Sequence, residues 1–189
     1  LLLSSGQRKV NCLLINGIES MSKVQLIYEG ISQIVGGPEL GLLVLSDLTH
    51  TRQIAIVCDK RMEVELSLRT GEKPVTERLL PEVLCSVNPL MTSEHYEILF
   101  NSIIDGQYKA LLVNKDDLTL TPIRASDAVL LAHVAKLNIF MEEHLFKRQS
   151  VDSSTSKNKM ALPLNALSFE MLHHALEKAI EDENYELAS

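Results

Sequence analysis

Tryptophan is missing from this chain, and aromatic residues make up only 4% of it. With so few rings, and those scattered, the core must rest on Leu, Ile and Val. Cysteine is scarce as well: Cys12, Cys58 and Cys85 are odd in number, far apart and in no Cys-x-x-Cys pattern. That excludes a disulfide framework, and a zinc site would need His or Cys partners at close spacing. The three read as reduced thiols of a cytoplasmic protein, with Cys58 and Cys85 as core filler. Basic residues are outnumbered, 18 Lys and Arg against 25 Asp and Glu, for a net charge of −7. A surface that coats nucleic acid by counterion release is thereby excluded, although a local basic patch is not. No apolar run reaches the roughly 18 residues of a membrane span. The opening "LLLSSGQRK" places its positive charges after its leucines, the reverse of a signal peptide. Ser-His-Asp, P-loop, GxGxxG and HExxH patterns are also missing, which removes the common hydrolase and nucleotide-binding classes.

What is present is a repeated order of elements. Residues 1–20 read as a peripheral extension, with "MSKVQLIYEG" resembling a natural start that runs at once into a strand. Strand formers fill 23–32, and "VGGPELG" supplies a turn. The continuous apolar run 40–47 predicts a strand buried on both faces, and 52–59 predicts a third strand. Residues 60–70 fit a short helix with Met62, Leu66 and the stem of Arg69 on one side; "GEKP" breaks it. A second helical stretch, 76–87, has Thr76 as its N-cap and Pro81 near its start. The order then recurs: strand 94–104, an Asp105-Gly106 hairpin, strand 107–114, a turn over Lys115 to Leu118, strand 118–124 and helix 126–137. "NIFMEEHLF" reads as a closing strand. Three strands then a helix, twice, predict an α+β domain of duplicated units forming one mixed sheet.

Beyond 148 the composition changes. Residues 149–164 read as a flexible Ser-, Thr- and Lys-rich linker, and 165–189 as an amphipathic helix capped by Ser168. Its stripe of Phe169, Leu172, Leu176, Ala179 and Ile180 needs a second helix, a partner or another copy to cover it.

Two stretches carry a resemblance. "GQYKALLVN…PIRASDAVLLAHVAKLNIFMEEHLF" resembles the signature half of the bifunctional nuclease domain, with its "tFyArlv" strand and its Arg-Pro-Ser-Asp-Ala-Ile/Val motif opening a helix. Arg124, Ser126, Asp127, Ala128 and Val129 match that motif in place, with Ala125 where proline is usual. Upstream, "RQIAIVCDKRMEVEL" is similar to the family's "lPIwIGxxEA", and "PVTERLL" to its "PLTHDLL". Glu77 and Arg78 replace the family's His-Asp pair there, and Glu63 matches the family's glutamate only with a one-residue shift. The resemblance spans about 23–148. The tail resembles the UVR motif of bacterial excision-repair proteins, "L-x-x-A-I-x-x-E-x-Y-E-x-A", through Leu176, Ala179, Ile180, Glu183, Tyr185, Glu186 and Ala188.

The resemblance implies a cytoplasmic, metal-dependent nuclease acting on RNA or DNA, with a C-terminal helix for a protein partner. The candidate catalytic residues are Asp127, Arg124, Ser126 and Glu63; Arg61, Lys60 and Arg78 would bind substrate, and Asp127 and Asp59 a Mg or Mn ion. The residue types suit that chemistry: a helix N-terminus beside a guanidinium holds phosphate, and aspartates hold hard cations. The same trio of Arg124, Ser126 and Asp127 has a plainer reading, in which Ser126 or Asp127 caps the helix and Arg124 pairs with Asp127. A solvated turn likewise accounts for Asp59, Lys60, Arg61 and Glu63, and turn roles account for Asp116 and Asp117. His133 reads as a core histidine and His173-His174 as surface or interface. A non-catalytic, self-associating interaction module of the same fold is the alternative reading, and homo-oligomers are expected in either case.

Overall fold

The computed structural model describes residues 22–33, 40–70 and 78–153. The first unit is an antiparallel meander of β1 (Lys23–Gln33), β2 (Leu40–Asp47) and β3 (Arg52–Asp59), running without a loop into α1 (Lys60–Thr70). β2 is buried along its six central residues, as an unbroken apolar run requires. Asp59 ends β3 and caps α1, its Oδ1 accepting the Met62 N–H at 2.9 Å. Met62 and Leu66, one turn apart, are the residues α1 buries. Arg69 lies along the same helix with its guanidinium held by Glu65 and by both oxygens of Glu82. α2 (Leu80–Val87) is shorter than the expected 76–87. Arg78 and Leu79 form a turn, and Pro81 sits in the first helical turn, where its missing N–H costs nothing. Thr76, Glu77, the turn at 36–38, the break at 71–74, residues 1–20 with Cys12, and the tail with its UVR-like pattern all lie outside the described residues.

The second unit repeats the order with β4 (Tyr96–Ile104), β5 (Gln107–Asn114), β6 (Leu120–Arg124) and α3 (Ala125–Ala135). Asp105 and Gly106 turn the β4–β5 hairpin with φ of 52° and 72°, the left-handed pair a two-residue turn demands. Both first strands carry a register shift, between Tyr28 and Gly30 in β1 and between Phe100 and Ser102 in β4. The shared order and shared bulge make the duplication visible where the sequences of the halves have diverged.

The expected closing strand stops early. β7 (Asn138–Glu142) gives way to α4 (Glu143–Gln149), and β8 (Val151–Asp152) pairs with Arg52 and Gln53 of β3. Thus 149–152, read as the start of a linker, hold the end of a helix and the last strand. Leu145 and Phe146 are buried, Glu143 opens the helix, and Lys147 and Arg148 close it, charges that match the helix dipole.

Among the described residues eight strands form one sheet, in the order β6-β5-β4-β7-β1-β2-β3-β8. β7 is the seam, antiparallel to β1 and parallel to β4. The sheet rolls up: Arg124 at the end of β6, one edge, contacts Asp59 at the end of β3, next to the other edge. Alternating side chains therefore meet two covered faces. Leu43, Leu45, Ile56 and Phe100 pack with Met62, Leu66 and Val129 of the helices. The intervening Leu42, Val44, Ala55, Leu99 and Val113 are buried on the opposite, concave face.

Candidate functional site

Each repeat ends in a strand that enters its helix directly, so Asp59 and Arg124 occupy corresponding junctions. The helix after Arg124 starts one residue earlier than expected, at Ala125. Neither Ser126 nor Asp127 is its N-cap; Arg124 holds that position, extended, with no side-chain cap bond. The cause is the missing loop: β6 pairs up to Arg124, and the next residue is already helical. Asp127 falls in the first turn, where its charge suits the helix dipole.

Arg124 binds that carboxylate with two parallel bonds, Nε to Oδ2 at 2.9 Å and Nη2 to Oδ1 at 3.1 Å. Its Nη1 donates to Asp59 Oδ2 at 3.2 Å. The three side chains remain open to water, 58% for Arg124, 45% for Asp127 and 47% for Asp59. Asp127 above all, and Asp59 after it, raise the guanidinium pKa above its ordinary value, so Arg124 is always charged. Ser126 differs from these three charged side chains, being only 4% exposed.

These groups stand at the mouth of an open hollow of about 750 Å³, whose lining includes Asp59, Ser126, Arg124 and Lys109. Its apolar wall comes from Leu40, Val57, Leu111 and Pro122. Cys58 also lines it, but burial, with the Asp59 charge second, pushes the thiol up to about 11. It is a packing group and no thiolate nucleophile. Asp127 is joined to the hollow through Arg124. Lys60 and Arg61, exposed in the first turn of α1, half-buried Glu63 beside them and exposed Arg78 before α2 do not line it.

Among the described residues no three His, Cys, Asp or Glu side chains gather as a cation cage. The donors that converge are the carboxylates of Asp59 and Asp127, around one guanidinium. Hard cations such as Mg²⁺ accept such a donor set, one or two carboxylates with water and substrate phosphate completing the shell.

Two other expectations find their places. His133 is half-buried, edge-on to Tyr28 at 5.9 Å, with its pKa lowered by burial first and then by Lys136 and Arg69. Asp117 accepts the Thr119 N–H at 2.9 Å, the expected turn role, whereas the Asp116 carboxylate pairs with His95, 21 residues away, at 2.7 Å. Lys109 was not visible as a site residue, because only strand pairing sets it opposite Arg124.

A family profile, that of the bifunctional nuclease domain, matches residues 43–154. The chain belongs to the bifunctional nuclease domain family. The matched region of this bifunctional nuclease domain takes in both strand–helix junctions and every side chain at the mouth of the hollow. Among curated proteins, none matches the chain. No helix among the described residues of the domain is long and apolar enough to cross a membrane.

Proposed function

We propose that this bifunctional nuclease domain hydrolyses phosphodiester bonds of RNA or DNA at the mouth of the rolled sheet. One observation carries the reading: a solvent-open guanidinium at a helix N-terminus, with two carboxylates on it within 3.2 Å. Arg124 can exchange Asp127 for a phosphate, since both offer the paired oxygens its planar fork fits. Asp127, so released, would hold Mg²⁺ or Mn²⁺ together with Asp59. That ion, when bound, supplies a more acidic water and charge compensation at the phosphate. Ser126, at the helix start, aligns the attacking water. Glu63, in the first turn of α1 just outside the lining, is assigned that water's proton as the new P–O bond forms and the P–O bond to the leaving oxygen breaks. Lys60, Arg61 and Arg78 offer exposed positive charge to the flanking phosphates, and the acidic remainder of a cytoplasmic chain limits non-specific coating.

Digestion of RNA and of single-stranded DNA by the purified chain, with Mg²⁺ or Mn²⁺, tests this. Arg124→Ala and Asp127→Ala are expected to slow cleavage by about a hundredfold each, the usual scale for losing one charge-stabilising group. Activity untouched by both substitutions would remove the site.

One observation favours the second reading, an interaction module without chemistry. Val64, Leu68, Leu80, Val83, Leu84 and Val87 of α1 and α2 are exposed, an apolar surface fit for a second copy of the chain. The UVR-like tail would add a protein partner. A stable oligomer by sedimentation, together with no cleavage under either metal, would favour this module.

A further inference from the structure

Lys109 of β5 lies directly across from Arg124 of β6, and Ser102 of β4 directly across from Lys109. The three side chains therefore leave the sheet on the same face, in one row across three strands. All three line the hollow. Arg124 has its two carboxylates, but the Lys109 ammonium makes no hydrogen bond or ion pair among the described residues. Half-burial leaves Lys109 less water than a free lysine has, and no counter-charge among the described residues touches its ammonium. An anion placed between Lys109 and Arg124 gives Lys109 its missing partner. The next row along the strands, on the same face, is apolar: Leu111 of β5 opposite Pro122 of β6. It stands roughly 7 Å from the polar row, two residues along a strand. Asn101 and Gln107 add amide groups to the lining.

We propose that the hollow is a subsite for one unpaired nucleotide, resting on the nuclease reading and extending it. The phosphate lies on Ser102, Lys109 and Arg124. The base lies against Leu111, Pro122 and Val57, with Asn101 and Gln107 at its polar edge. A base in the hollow has left its pair, so the domain takes single strands or frayed ends over duplex.

Binding without cleavage tests this, read as fluorescence anisotropy of a short labelled DNA single strand and of the matching duplex, in EDTA. The single strand is expected to bind at least tenfold tighter than the duplex. Thymidine monophosphate is expected to displace it at lower concentration than thymidine or inorganic phosphate alone. Lys109→Ala should weaken single-strand binding about tenfold and reduce the salt slope by about 1, and Lys109→Arg should restore both. Equal affinity for duplex, equal displacement by inorganic phosphate, or a Lys109→Ala variant that folds and binds like wild type would each overturn the subsite. The two proposals fail separately. Cleavage indifferent to Lys109 keeps the nuclease and removes the subsite, and Lys109-dependent binding with no cleavage under either metal does the reverse.

Discussion

Tyr108 packs edge-on to Phe100 at 6.2 Å, and its buried hydroxyl has no partner among the described residues. A buried hydroxyl without a bond costs about 1–3 kcal/mol, so Tyr108→Phe should leave stability unchanged or raise it by about 1 kcal/mol in urea unfolding. A loss of stability would mean the oxygen has a partner after all. Burial also pushes Tyr108 and Tyr28 up to about 12 from 10.0. Above pH 10 the unfolded chain therefore loses protons that the folded one keeps, and stability falls as the pH rises. His133 acts from the acid side. Its folded pKa lies below the unfolded 6.5, so the unfolded state takes up the proton first as the pH drops through that value. Stability should decline there, and His133→Gln should flatten the decline in a pH series of unfolding curves. Single residues were legible in the sequence where their partners are near in the chain, as with Arg124 and Asp127. Asp59 lies 65 residues from Arg124, and no local pattern announces that contact.

The strand-to-helix junctions set both the geometry of the site and part of the stability. Asp59 caps α1 through Oδ1 while offering Oδ2 to Arg124. Asp59→Asn keeps an oxygen for the cap and removes the charge; Asp59→Ala removes both. The alanine variant should lose about 1 kcal/mol more than the asparagine variant in chemical denaturation, the weight of a helix cap. Equal losses would show that the cap contributes nothing. β2, β3 and α1 were readable to the residue because their apolar patterns are long and their ends are marked. α4 was not, since two buried residues, Leu145 and Phe146, are too few to display a period. The start of α3 misled because Ser and Asp in a first turn look like caps when the strand before them is hidden.

The roll of the whole sheet does not depend on the Arg124–Asp59 contact that marks it. Both side chains are about half exposed, and such ion pairs contribute about 0–1 kcal/mol. The concave face supplies the cause: Leu42 and Leu99 are fully covered there. Leu99→Ala is expected to cost about 2–5 kcal/mol by thermal or urea unfolding, well above any loss from Arg124→Ala. A reversed ranking would assign the closure to charge. The duplicated architecture could be read from the order of elements, but the palindromic strand order could not, because it depends on which strand fills the middle. That strand is β7, which pairs with β1 on one side and β4 on the other. Without that strand the inner edges of β1 and β4 would lie bare, so the union of the two meanders into one sheet rests on five residues.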